Sequence, residues 1–262
     1  MLGLAGGLGH LANLRRCGAG AVSSPRVALE LLRSGGRPLV IGHRGAAAVA
    51  PENSLPSLQA AVAAGADLVE LDVGADLRLA HSARESSSDA ITLDDALEHL
   101  GASGVGIHVD VKGTGFEDSV VAALERHALI GRALVSTIHA SSCHRFAELA
   151  PALPRAIGYP SDRYGVSRFP WPASVAAAGA AAVRLVIPAR VRLLLRASGA
   201  DVLALHHTLC TPATVALAHR RGIPVLGWTA NTPAAVERLY ALGVDAIVSD
   251  DPGMAVATLR TP

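Results

Sequence analysis

Between residues 39 and 249 the chain repeats one rhythm, a short apolar run followed by an amphipathic stretch of helical period. This rhythm limits the fold more than any other feature, because strand–helix alternation argues for parallel strands joined by crossover helices. The expected strands are Leu39–His43, Leu68–Val73, Gly106–Val111, Ala133–Ile138, Arg155–Tyr159, Asp201–His206, Pro224–Trp228 and Asp245–Ser249. The clearest helices are Ser54–Ala64, Leu93–Leu100, Phe116–Leu129, Pro212–Arg221 and Pro233–Leu242. Asn53, Thr92, Thr211 and Thr232 stand where N-caps belong, and Gly65, Gly101, Gly222 and Gly243 where helices end.

Eight strands are the number a closed barrel needs, so the expected fold is a single-domain α/β protein, a (β/α)8 TIM barrel. The domain is placed at residues 38–262, after an N-terminal extension at 1–37 that is partly helical or loosely ordered. A doubly wound sheet is the rival, and it would want a Gly-rich phosphate loop between strand and helix. No G-x-G-x-x-G or Walker loop follows any expected strand. One segment stays open: Val183–Ala197 reads as a helix, or as a strand followed by a helix, and a ninth strand would break the barrel count.

Composition narrows the function. Half the residues are hydrophobic, enough to bury a sizeable core, and the formal net charge of +1 carries no general attraction to nucleic acid or anionic lipid. No stretch approaches the roughly 20 apolar residues of a membrane span, so no stable membrane insertion is expected. Cys17, Cys143 and Cys210 form no C-x-x-C pair and read as reduced structural thiols of a cytoplasmic protein. In residues 1–24 the charges Arg15 and Arg16 fall inside the apolar run rather than before it, so the segment reads as an extension, with an export signal as the alternative.

Polar residues gather at the C-terminal ends of the expected strands, where barrels carry their chemistry. The first strand ends in Gly42-His43-Arg44-Gly45, followed by Pro51-Glu52-Asn53; the second ends in Glu70-Leu71-Asp72. A strand-like piece, Leu77–Ala80, delivers His81, and the third main strand reads His108-Val109-Asp110-Val111-Lys112. Side chains two apart share a face, so Glu70 and Asp72 point one way and Asp110 and Lys112 likewise. Carboxylates converging in a lumen repel one another unless a cation joins them, and oxygen donors alone suit Mg²⁺ or Ca²⁺. Arg44 as a fork and Lys112 as a point charge then make a phosphate site, with His43 and His81 as base and acid. His10, His99, His127, His144 and His219 read as surface or helix residues. His108, His139, His206 and His207 are intermediate, with His108 deep enough to suit packing.

These segments together resemble the glycerophosphodiester phosphodiesterase family. The resemblance continues in Trp228-Thr229-Ala230-Asn231, similar to the family's Trp-Thr-Val-Asn, and in Gly243-Val244-Asp245-Ala246-Ile247-Val248-Ser249-Asp250-Asp251-Pro252, similar to its Gly-Val-Asp-Gly-Ile-Ile-Thr-Asp-x-Pro. It covers about residues 39–252. It implies a barrel and a divalent cation, Mg²⁺ or Ca²⁺. It implies hydrolysis of a small glycerophosphodiester to sn-glycerol 3-phosphate and an alcohol. His43 and His81 inherit the general acid and base roles, with covalent attack by one of them, or capture by the substrate's own hydroxyl, left open. Glu70 and Asp72 inherit metal ligation, and Asp110 takes the position of the third ligand. Arg44, Lys112, Glu52 and Trp228 are the expected substrate- or phosphate-binding residues.

Three departures from the family pattern stand out. Ser82 replaces an Asp after the second histidine, and Asp110 replaces a Glu one methylene longer. The family's insertion after the second strand is reduced to Gly74–Ile91, with a polar Glu85–Asp89 run, so the pocket should be more open. Lysophospholipase D or sphingomyelinase D-like chemistry is one alternative, and a non-catalytic phosphate-binding barrel is another.

Overall fold

A computed structural model describes residues 36–82, 87, 89–160 and 173–260, the stretch 173–185 as backbone alone. The strands are β1 (Leu39–Gly42), β2 (Leu68–Val73), β3 (Gly106–Val111), β4 (Ala133–Thr137), β5 (Arg155–Tyr159), β6 (Val202–His206), β7 (Val225–Trp228) and β8 (Ala246–Ser249). They close into a parallel barrel in chain order, with β8 pairing back onto β1. The helices that follow them are α1 (Leu55–Ala63), α2 (Leu93–Ser103), α3 (Glu117–Arg126), α4 (Ala140–Leu149), α5 (Ala173–Ser198), α6 (Pro212–His219), α7 (Pro233–Ala241) and α8 (Pro252–Arg260). The open segment is helical: α5 buries Ile187, Val191 and Leu195 at four-residue spacing, and the described residues hold no ninth strand.

Alternation along the strands sorts the side chains. Val69, Leu71 and Val73 of β2 and Ile107, Val109 and Val111 of β3 pack outward against helices α1 to α4 in one apolar cluster. Ile41, Leu134, Ala156, Val202, Ala204, Leu226, Ala246 and Val248 fill the lumen as a second. The intervening positions on β2, β3 and β4, namely Glu70, Asp72, His108, Asp110 and Ser136, share the lumen parity and carry polar groups there.

Three details differ from the sequence reading. Ser54, not Asn53, caps α1, through a reciprocal box with Ser57; Asn53 is buried at φ 55° and serves the site instead. Gly101 lies inside α2, which ends at Gly104 in the left-handed region (φ 78°). Helices α4 and α8 were not among the clearest patterns. Helix α4 opens with Ala-Ser-Ser and lacks a side-chain cap, so its apolar signal rests on Cys143 and Phe146. Cys143 and Cys210 are unbonded and buried. Cys17, His10, the extension over 1–35 and most of the Glu85–Asp89 run lie outside the described residues. Among the described residues no helix is long and apolar enough to cross a membrane.

Candidate active site

The site begins where β1 ends. The His43 amide donates to Ser249 O (2.9 Å), which extends the β1–β8 pairing by one residue. That register sets the imidazole beside Asp250, with Nδ1 2.5 Å from Oδ1. Asp250 is itself held by Asn231: its amide donates to Asn231 Oδ1 (2.9 Å), and Asn231 Nδ2 donates to its other carboxylate oxygen. The hydrogen bond from His43, set against partial burial, holds the Asp250 carboxyl below the usual carboxylate range. Sequence reading met Asn231 and Asp250 only as parts of longer segments. The available signal was their position just past two barrel strands.

The next two residues turn sharply. Arg44 takes φ 51° and Gly45 φ 86°. A Cβ on Gly45 would stand 2.4 Å from Ser57 Oγ, and one on Gly42 would stand 2.5 Å from Gly45 O, so this turn needs glycine on both sides. The turn directs the Arg44 amide onto Glu70 Oε2 (2.7 Å) and swings the guanidinium across the mouth of the barrel. There Nη1 meets Glu52 Oε2 (2.6 Å), Nε stands 3.0 Å from Asp72 Oδ2, and Nη2 lies 2.9 Å from His81 Nδ1. Asn53 accepts the Asp72 amide on Oδ1 (3.0 Å) and reaches Asp72 Oδ2 with Nδ2 (3.4 Å).

Strands β2 and β3 supply the acids. Their register sets Asp72 directly beside Asp110, and ligand oxygens of Glu70, Asp72 and Asp110 lie within 4.8 Å of one another. Lys112 places Nζ 2.6 Å from Asp72 Oδ1 and contacts Asp110 Oδ2. His81 reaches Asp72 Oδ2 with Nδ1 (3.0 Å), so Asp72 is the carboxylate beside this histidine in a chain that has Ser82 next to it in sequence. The piece that carries His81 is anchored by antiparallel bridges, Val73 to Leu79 and Arg78 to Thr92.

The charges are strongly unequal. Burial opposes ionisation of Asp72, but the His81 hydrogen bond and the Lys112 and Arg44 cations outweigh it and hold the carboxyl far below its ordinary range. Burial, reinforced by the negative charge of Asp72, pushes Glu70 well upward. Burial works against the Lys112 ammonium, and Asp110, Asp72 and Glu70 overcome it and raise its pKa.

Glu52, Arg44, Glu70, Asp72, His81, Lys112 and Asp110 thus form one continuous network. His43 adjoins it through the chain and bonds to Asp250. Trp228 ends β7 and packs edge-on against His206 (5.3 Å between ring centroids), with no described bond to the acids. Burial and the neighbouring His207 lower the His206 pKa to about 4, so that ring is neutral near pH 7. His108, expected to pack, is buried and hydrogen-bonds Ser136.

The profile of the glycerophosphoryl diester phosphodiesterase family matches residues 43–75 and 82–254. The chain belongs to that family. It is an enzyme of the family's class, a phosphoric diester hydrolase on a (β/α)8 barrel. His81 falls in the short break between the two matched stretches, within the reduced connection after β2. The Bacillus subtilis (strain 168) protein YhdW, provisionally named a glycerophosphodiester phosphodiesterase, is 23% identical over 255 residues, which span 83% of this chain and 96% of that one. An Oleispira antarctica phosphodiesterase, solved in complex with the product sn-glycerol-3-phosphate, superposes with a TM-score of 0.66 at 21% identity, covering 86% of this chain and 98% of the other. A glycerophosphodiester phosphodiesterase from Parabacteroides distasonis gives a TM-score of 0.66 at 19% identity, covering 86% and 98%.

The acids of this family phosphodiesterase fit a hard divalent ion. All three donors are carboxylates, two of them buried, and Asp72 Oδ1 is a buried oxygen without a hydrogen bond of good geometry. A cation would favour the ionised form of Glu70, which burial and Asp72 oppose.

Proposed function

We propose that this protein hydrolyses glycerophosphodiesters to sn-glycerol 3-phosphate and an alcohol, with His43 and His81 as the acid–base pair and Glu70, Asp72 and Asp110 as ligands of Mg²⁺ or Ca²⁺. The carrying observation is the meeting of three carboxylates within 4.8 Å with Arg44, Lys112 and a carboxylate-bonded imidazole at one barrel mouth. The Oleispira enzyme's product complex supports the product class.

A divalent cation held by Glu70, Asp72 and Asp110 would supply positive charge against the negative charge of the phosphodiester and its transition state. The protein's own groups do the rest. Arg44, steered by Glu52 and Asp72, offers guanidinium hydrogens to non-bridging oxygens, and Lys112 adds a second positive charge. With Nδ1–H donated to Asp250, His43 presents an unprotonated Nε2, the form of a base that takes a proton from water. His81 Nδ1 faces both Asp72 and Arg44 and bonds one of them at a time. As the acid, His81 would carry both ring protons, donating Nδ1–H to Asp72 and passing the Nε2 proton to the leaving alkoxide as the phosphorus–oxygen bond breaks, and would end as the neutral ring. Trp228 and His206 form a neutral aromatic wall for the organic part of the substrate.

The test is alcohol and phosphomonoester release from glycerophosphodiesters with different head groups, each with Mg²⁺, Ca²⁺ or excess chelator. Activity should vanish in chelator and return with one of the two ions, whereas full turnover in chelator removes the cation from the reaction. Asp250→Asn should lower kcat by ~10²-fold or more with KM little changed, since His43 then loses the partner that sets its tautomer. An unaltered kcat would leave Asp250 without a role.

The reduced Gly74–Ile91 connection after β2 motivates a second reading, in which a longer lipid phosphodiester is the substrate. Comparing lysophosphatidylcholine with glycerophosphocholine separates the two: the glycerophosphodiester reading expects the smaller diester to win in kcat/KM, and the lipid reading the larger.

A further inference from the structure

We infer that Ser136, backed by His108, is a positioning residue that aims Asp110 at the divalent cation. The inference rests on the cation reading above and adds two residues to it. Ser136 lies beside Asp110 in the β3–β4 register and donates its hydroxyl to Asp110 Oδ1 (2.6 Å). The other oxygen, Oδ2, turns toward the Lys112 ammonium, which stands 2.6 Å from Asp72 Oδ1. One carboxylate oxygen is therefore tied to a neighbouring strand while its twin is presented to the cluster of acids. An untied aspartate of a strand end has several rotamers to choose from, and fixing one of them removes that freedom before any ligand arrives.

Counting protons fixes the rest of the relay. A serine hydroxyl has one hydrogen, and here it goes to the carboxylate. The contact between Ser136 Oγ and His108 Nε2 (2.8 Å) must then be donated by His108. Both are buried: His108 is 4% exposed and Ser136 6% exposed. Burial shields the relay from water that would otherwise exchange with it. His108 Nδ1 is buried without a hydrogen-bond partner, as expected of a ring whose single proton sits on Nε2. The chain His108 to Ser136 to Asp110 runs in one direction, each group orienting the next.

The test is isothermal calorimetry of Mn²⁺, Mg²⁺ and Ca²⁺ binding to the intact protein, with melting temperatures measured in chelator and at saturating Mn²⁺. Ser136→Ala should weaken Mn²⁺ binding by ~10–100-fold, the usual effect of removing a partner that orients a metal ligand. Its melting temperature in chelator should fall by a few degrees, because the buried His108 N–H loses its acceptor, and the upward shift on adding Mn²⁺ should shrink as well. His108→Leu should weaken binding in the same direction, and His108→Gln, which restores a donor to Ser136, should recover part of it. Ser136→Ala with wild-type Mn²⁺ affinity, beside an Asp110→Ala control that loses it, overturns the positioning role and leaves the cation reading standing. A wild-type protein that binds none of the three ions overturns both. A lower melting temperature in chelator with undiminished affinity shows mere packing and also overturns the proposal.

Discussion

Replacing His43 with alanine should reduce turnover of a glycerophosphodiester by ~10²–10⁴-fold and leave the barrel folded. The loss is chemical because the imidazole contributes little to the fold. Its side chain is partly exposed, and its partner Asp250 keeps both bonds with Asn231, one accepted from Asn231 Nδ2 and one donated by its own amide, when the ring is gone. His81→Ala should lose a comparable factor: its side chain is 39% exposed, and Asp72 retains Arg44, Lys112 and Asn53. Steady-state kinetics at saturating cation, read beside far-UV circular dichroism and a melting curve, separates lost chemistry from lost structure. The double variant should lose less than the product of the two factors, since the histidines serve one transition state. Turnover by His81→Ala equal to wild type would dismantle the assigned pair.

Asp72→Asn should do the most damage to stability as well as activity. Asp72 is fully buried and faces Arg44, Lys112 and His81 at 2.6–3.0 Å. An amide of the same shape keeps the volume and removes the charge that Arg44 and Lys112 share, leaving Glu52 to Arg44 and Asp110 to Lys112. Breaking a fully buried ion pair in this one-sided way costs about 3–5 kcal/mol, and the part-exposed cations here, each with a second carboxylate, set the cost at or below the lower end of that range. Cation binding should fall with it, because the remaining acids are Glu70, pushed toward its protonated form, and Asp110.

The pH dependence of that cost has a definite sign. The Asp72 carboxyl lies far below its ordinary range in the folded chain, against about 3.9 in an unfolded one. Its stabilising contribution is therefore complete above about pH 4 and fades as the pH falls further, when the unfolded chain takes up the proton first. Urea unfolding should show a wide gap between wild type and Asp72→Asn at pH 7 that narrows below pH 4. A gap under about 0.5 kcal/mol at pH 7 would show that Arg44 and Lys112 do not depend on this carboxylate.

Much of this site could be read along the chain because its main signals are local. Glu70 and Asp72 are two residues apart on a buried strand, and Asp110 and Lys112 stand in the same relation at the end of the next strand. Each pair announces its own face by alternation, and a barrel turns both faces to one lumen. The histidine–arginine turn and the strand-like piece before His81 were legible for the same reason. Asn53 misled because an amide before a helix suits a cap; its burial against Asp72, 19 residues away, belongs to the packed state. Helix α4 was faint because its first turn is polar and its apolar contacts are few.

The primary structure alone determined the order of strands and helices, the parity of each strand and the residue types brought to the strand ends, since these follow from periodicity and short-range sterics. Tertiary closure decided who meets whom. His43 and Asp250 are 207 positions apart and touch because β8 returns to β1. Ser136 reaches Asp110 because the β3–β4 register sets them abreast. No pattern within one strand specifies a partner on another, because that pairing depends on barrel stagger, which is set by all eight strands closing together.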